Sequence, residues 1–140
     1  MPNARELCDD AIESAERGDY PEAIRQMNAA IRMDSNNPSL WYNKGIILYK
    51  QGNFPDAVNS FGQAADIDPG FAEAWYNKGL ALAAVGKYHG AIHAFDKALA
   101  INRNDKQALF HRNIALEKLS ASGISPPDHP DRSRQSKLFR

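Results

Sequence analysis

Apolar positions along this chain recur at steps of three and four residues. Trp41, Gly45 and Leu48 form one stripe, and Ala57, Phe61 and Ala64 form another, which is the spacing of one face of an amphipathic helix. Gly52 stands between the two stripes, with Gly18 and Gly86 in the corresponding places earlier and later. A short turn must reverse the chain there, and glycine supplies it without steric cost. Pro21 and Pro55 come just after, at the opening of the next helix, where a missing N–H costs least. Asn37-Pro38 and Asp68-Pro69 punctuate the joints. No segment alternates as a strand does. The pattern predicts pairs of antiparallel helices, each about 12–14 residues long, joined by tight turns.

The chain also repeats itself. Trp41-Tyr-Asn-Lys-Gly45 returns as Trp75-Tyr-Asn-Lys-Gly79 at an offset of 34 residues, and 11 of 34 positions are identical between 38–71 and 72–105. A weaker copy in 4–37 keeps Leu7, Ala11, Gly18, Tyr20, Ala23, Met27 and Ala30 in register, and half a copy in 106–119 keeps Leu109, Ala115 and Leu116. A helical unit of this length cannot bury its apolar face alone, so a period of this kind predicts stacked hairpins sharing one continuous core.

The pattern resembles that of the tetratricopeptide repeat. The likeness rests on Trp41, Gly45, Tyr49, Ala57, Phe61, Ala64 and Pro69 in one unit, and on Trp75, Gly79, Leu82, Ala91, Phe95 and Ala98 in the next. Leu7 replaces the tryptophan in the first unit, and Ser35 and Arg103 replace the joint proline. The resemblance implies an all-α fold, with hairpins stacked into a right-handed α/α superhelix. Its units would be 4–37, 38–71 and 72–105, closed by a capping helix at 106–120. Glu6, Asp10 and Glu13 stand where the next units have Leu40, Lys44, Ile47 and Ala74, Lys78, Ala81, so the array is expected to begin with an uncovered acidic face. Asn113 replaces the small residue of Gly45 and Gly79, as expected of a helix with no partner packed on that side.

Charge narrows the functional classes. Lys and Arg total 17 and Asp and Glu total 17, so the formal net charge is zero. A sequence-independent nucleic-acid binder needs a basic footprint, and a membrane-surface protein needs a polybasic one. Neither partner is expected. No apolar run approaches the roughly 20 residues of a membrane span, and the first ten residues lack the basic start and apolar stretch of a signal peptide. The expectation is a cytoplasmic protein. By count, 121–140 holds four basic and two acidic residues with three prolines and no helical period, a Pro-rich basic tail of +2 beside a body of −2. Residues 1–20 hold six acidic and two basic.

In the tetratricopeptide family the first helix of each unit lines a concave groove that holds peptides or partner helices. Carried over by position, that groove would be lined by Tyr42, Asn43, Ile46, Tyr49 and Lys50, then Glu73, Tyr76, Asn77, Leu80 and Ala84. The cap would add Phe110, His111, Ile114 and Lys118, and the first unit Arg5, Cys8, Asp9, Ile12 and Glu16. Three ladders result: Tyr42–Tyr76–Phe110, Asn43–Asn77–His111, and Ile12–Ile46–Leu80–Ile114. Amides can donate to and accept from a peptide backbone, and aromatics supply rigid contact area. Some family members clamp the terminal carboxylate of chaperone tails. At the matching places this chain has Cys8, Ile12, Asn43, Glu73 and Asn77, a set that lacks the basic residues such a clamp needs. The expected function is therefore protein–protein interaction, with a peptide held in the groove. The alternative is self-association, through end helices or through the tail filling its own or a neighbouring groove, with Arg132, Arg134, Lys137 or Arg140 against Asp9 and Glu16 and with Leu138 and Phe139 in an apolar pocket beside the tyrosines.

Enzymatic readings find little support. His89 and His93 share a helix face, but Gly90 occupies the place of a catalytic glutamate and no third ligand stands nearby. Cys8 lies beside Asp9 on what reads as an exposed first helix, without the cations that would activate a thiol. No phosphate-cradling glycine loop is present, and neither a metal nor a cofactor is expected.

Overall fold

The computed structural model describes residues 1–123. Among them are seven helices and no strand: α1 (Ala4–Glu16), α2 (Tyr20–Met33), α3 (Pro38–Gln51), α4 (Phe54–Ile67), α5 (Ala72–Ala84), α6 (Tyr88–Ile101) and α7 (Lys106–Ala121). Helix starts are written into the sequence. Asn3, Asp19, Asn37, Asn53 and Asp105 each accept a backbone N–H of the first turn of α1, α2, α3, α4 and α7, satisfying donors that a helix leaves open. Pro21, Pro38 and Pro55 sit in the first turns of α2, α3 and α4. Gly18, Gly52 and Gly86 adopt φ of 81°, 85° and 80° between paired helices, the left-handed region that other residues avoid.

Equivalent positions build equivalent cores. Ala23, Ala57 and Ala91 are fully buried, as are Ala30, Ala64 and Ala98, and as are Met27, Phe61 and Phe95. The close approach of paired helices dictates glycine at two places. A Cβ on Gly45 would lie 2.6 Å from the Phe61 ring, and one on Gly79 would lie 2.5 Å from the Phe95 ring. In the first hairpin the facing pair is instead Ala11 and Met27, both fully buried, and the flexible thioether accommodates the methyl that a phenyl ring would not. Asn113, at the same register in α7, is exposed. The acidic side chains Glu6, Asp10 and Glu13 are exposed, whereas their counterparts Leu40, Ile47, Ala74 and Ala81 are buried between hairpins.

Helices pair within hairpins as α1·α2, α3·α4 and α5·α6, and each second helix packs on the next first helix. First helices also touch one another in succession (α1·α3, α3·α5, α5·α7), while no two second helices approach as closely. The stack therefore curves as a superhelix, with α1, α3, α5 and α7 on its inner side. Helix α7 runs one residue past the expected end at 120. The tail contacts expected of Arg132, Arg134, Lys137, Leu138, Phe139 and Arg140 lie outside the described residues.

Candidate functional site

Ile12, Ile46, Leu80 and Ile114, in the same register of α1, α3, α5 and α7, are all partly exposed. Each comes from the middle of a first helix, so the 34-residue period of the chain becomes a spatial period of adjacent helices. Beside this row run Tyr42 and Tyr76, half-buried, and Phe110, which is 61% exposed. Tyr42 packs on Phe61 and Phe71 at centroid distances of 5.8 and 4.8 Å, and Tyr76 packs on Phe95 at 5.9 Å. Tyr49 meets Phe54 edge-on at 5.1 Å. The tyrosines are thus fixed by the hairpin cores while one edge of each faces outward. Lys50 and Glu73 are exposed at the rim.

The second ladder does more than line a face. Asn43 donates through Nδ2 to Cys8 Sγ at 3.6 Å, and Asn77 donates through Nδ2 to Tyr42 Oη at 3.1 Å and to the Glu73 carbonyl at 3.0 Å. His111, in the same register, packs edge-on against Tyr76 at 5.9 Å and stacks on Phe95 at 6.3 Å. Each first helix is thereby tied to the one before it, through the same two positions at all three joints. Asn77 thus spends both amide protons inside the protein. These contacts join residues 35 positions apart, so no local spacing announces them.

Cys8 is buried rather than set on an exposed face: it is 8% exposed, wedged between α1 and α3. Burial, then the neighbouring Asp9, push its thiol above its ordinary value, against the hydrogen bond from Asn43. Burial, then Glu73, raise the Tyr42 phenol, with Asn77 opposing. Tyr76 is raised mainly by burial, with Asp105 adding to it. His89 and His93 are exposed on α6, and His93 lies edge-on to Trp75 at 6.4 Å. Among the described residues, no group of three or more His, Cys, Asp or Glu side chains is placed to hold a metal ion. No described helix is long and apolar enough to cross a membrane.

One feature that sequence reasoning missed lies on the opposite side. A cleft of about 560 Å³ opens between α2 and α4 over α3, and Trp41, Lys44 and Leu48 are among its lining residues. Lys44 Nζ stands over the Trp41 ring at 5.5 Å from its centroid, and burial lowers its pKa against the opposing pull of Asp56. The indole N–H of Trp41 is turned away, donating to the Ser35 carbonyl at 3.0 Å, as Trp75 does to Pro69 at 3.1 Å.

Stacked helical hairpins with first helices inside and a ladder of repeated side chains along them define a repeat protein of the superhelical class. The chain belongs to the tetratricopeptide repeat family, whose model matches residues 8–70 and again 42–108. Among solved structures it is similar to the first such domain of Spaghetti (RPAP3) bound to the HSP90 peptide SRMEEVD. The TM-score is 0.79 at 21% identity, over 84% of this chain and 94% of that one. It is equally similar to the Sgt2 domain from Aspergillus fumigatus, with TM-score 0.79 and 22% identity over 92% and 89% of the two chains. The second such domain of human RPAP3, in complex with the HSP70 peptide SGPTIEEVD, gives 0.75 at 24% identity over 80% and 93%. At these identities the likeness establishes the fold. No curated protein sequence matches the chain.

Proposed function

We propose that this protein is an interaction module that binds a peptide or partner segment along the inner face of α1, α3, α5 and α7. In this reading the units 4–37, 38–71 and 72–105 with the helix 106–120 act as one array. The observation that carries the reading is the unbroken, partly exposed row Ile12–Ile46–Leu80–Ile114 beside Tyr42, Tyr76 and Phe110. Apolar area that stays accessible along a rigid concave face serves recognition better than folding. Two structural neighbours are described with peptides bound, which supports the mode of binding. Those peptides end in acidic residues, and here the exposed Glu73 opposes such a tail while Asn77 has no amide proton left to donate. The segment recognised is therefore one with apolar anchors and few acidic groups.

The test is affinity capture from native lysate by the full chain and by a Lys50→Ala/Phe110→Ala variant, both positions being exposed and outside the core. Weaker recovery of the same proteins by the variant is expected. Equal recovery by both proteins removes the groove assignment. A second reading, self-association through the basic tail, draws on the exposed Asp9 and Glu16 of α1. It predicts that deleting 124–140 lowers the mass seen by light scattering at high concentration. An unchanged monomeric mass for both proteins ends that reading.

A further inference from the structure

The cleft between α2 and α4 has an internal control, because the chain contains the same joint twice. Shifting by 34 residues maps Trp41, Lys44 and Leu48 onto Trp75, Lys78 and Leu82, the same residue types. Even the packing recurs, with Lys78 Nζ 5.3 Å from the Trp75 centroid. The remaining positions diverge in one direction. Asn28, Gln51, Asn53, Asn59 and Gln63 line the first cleft, and their counterparts are Gly62, Val85, Lys87, His93 and Lys97. Five carboxamides line one joint, and none of their counterparts one repeat on is an amide. At the second joint a smaller hollow of about 300 Å³ is lined by Val58, Leu82, Val85 and Lys87, and the one amide in its wall is Asn59, shared with the first cleft. Stacking alone therefore does not require the amides.

Their arrangement suits one kind of ligand. Asn53 caps α4 and also donates to Asp56. Asn28, Gln51, Asn59 and Gln63 make no side-chain hydrogen bond to another protein group among the described residues. Each amide offers both donors and an acceptor. The wall from Asn53 to Gln63 rises about 15 Å along α4, the length of about four to five residues of extended chain. Asp56, Asn59 and Gln63 succeed one another at three- and four-residue steps, about 4.5 and 6 Å apart along the axis. An extended chain presents backbone polar groups on one side at about 6.7 Å, near the longer step from Asn59 to Gln63. Ile24, Trp41 and Leu48 give the cleft an apolar floor for a side chain pointing inward. Lys44 and Asp56 are its charged lining residues, one of each sign. A sugar would need an open indole face, and Lys44 stands over Trp41.

We propose that this outer cleft is a second binding site, for a short, extended, uncharged peptide segment of a partner protein, on the side opposite the concave face. With both sites the module bridges two chains instead of holding one. The outer site stands independently of the groove reading, whereas the bridging of two chains rests on it.

The test is a titration of the full-length, isotope-labelled chain with acetyl-Ser-Leu-Asn-Leu-Ser-amide to millimolar concentration, followed in ¹H–¹⁵N spectra. The two indole N–H signals serve as probe and control: Trp41 lines the cleft, and Trp75 stands at the joint whose matching positions carry Gly62, Val85, Lys87, His93 and Lys97. The expected result is a saturable shift of the Trp41 indole and the amide side chains of α2 and α4, with Trp75 unmoved. In an Asn59→His/Gln63→Lys variant the dissociation constant should rise at least about tenfold. That variant places in the second unit residues the third unit already carries, and a Gln51→Val variant at the cleft rim checks the effect independently. No saturable shift in the cleft, unchanged affinity in both variants, or shifts confined to Tyr42, Tyr76 and their neighbours would overturn the proposal. So would maltotriose saturating the cleft while the peptide leaves it unmoved.

Discussion

Replacing Gly79 by alanine tests the packing that sets the hairpin geometry. In an ordinary helix interior that change stabilises by about 1 kcal/mol, since glycine is the poorer helix former. Here the new methyl carbon would sit 2.5, 2.7 and 2.9 Å from three carbons of the Phe95 ring. Carbon atoms settle about 3.5–4.0 Å apart, so the ring must recede by about 1 Å. It has little room to do so: Phe95 is fully buried, with Tyr76 at 5.9 Å and His111 at 6.3 Å. Forcing a methylene-sized group into a packed core costs about 1–3 kcal/mol. With the ring held on two sides the upper part of that range applies, leaving a net loss of about 1–2 kcal/mol. For a chain of this size that lowers Tm by about 3–8 °C. The first hairpin shows how to relieve the clash, because Ala11 there faces Met27. A Gly79→Ala/Phe95→Met double variant should be more stable than the sum of its parts by about 1 kcal/mol. Urea denaturation followed by far-UV circular dichroism gives all four corners of the cycle. A Gly79→Ala protein more stable than the parent, or strict additivity in the cycle, refutes the packing argument.

Asp105 accepts the N–H groups of both Gln107 and Ala108 at 3.1 Å, so Asp105→Ala should cost about 1 kcal/mol and speed hydrogen exchange in the first turn of α7. Asn77→Ala removes the donor to Tyr42 Oη, a loss of about 1 kcal/mol. It should also raise the Tyr42 phenol further, because that hydrogen bond lowers its pKa against burial and Glu73. Ultraviolet titration of phenolate absorbance reads the change, and an unmoved or lowered titration contradicts it. The Cys8 thiol is raised above its ordinary 9.0 in the folded protein. Its contribution to stability is thus fully present below about pH 9 and is lost as pH rises through the raised folded value. Iodoacetamide at mildly alkaline pH should alkylate it far more slowly in the folded chain than in urea, and equal rates would show that the thiol is accessible.

Much of the fold was legible because it is local. Helix starts follow from Asn and Asp caps with prolines in the first turn, and reversals from glycines with positive φ. The tight helix approach follows from small residues facing Phe61 and Phe95. What escaped is what needs a third helix. Cys8 sits on a helix with acidic residues on either side, and only the position of α3 shows that it is covered. The partners of Asn43 and Asn77 stand one repeat away, at a distance set by how strongly successive hairpins curve. The outer cleft draws residues from α2, α3 and α4, no two helices of which display it in their own periodicity. A signal was available nonetheless: superposing the units shows five amides of one unit pair replaced by Gly62, Val85, Lys87, His93 and Lys97 at the matching places of the next.

The pairing of positions 8 with 43, 42 with 77 and 76 with 111 sharpens what a binding experiment on the inner face can establish. The same two places hold a thiol and an amide, a phenol and an amide, then a phenol and an imidazole. The three joints therefore differ in chemistry while sharing one register. Removing Asn43 or Asn77 would loosen the stacking of α1 on α3 or of α3 on α5 as well as remove a group from the proposed groove. Weaker partner capture by such variants would not separate recognition from shape. Lys50 and Phe110 differ, since both side chains are exposed and neither takes part in a side-chain hydrogen bond between helices. A loss of binding there, with unfolding midpoint and helix content unchanged, reports recognition alone. If such variants bind normally while Asn77→Ala does not, the ladder acts through the shape of the superhelix, and the partner reads that shape rather than the amides.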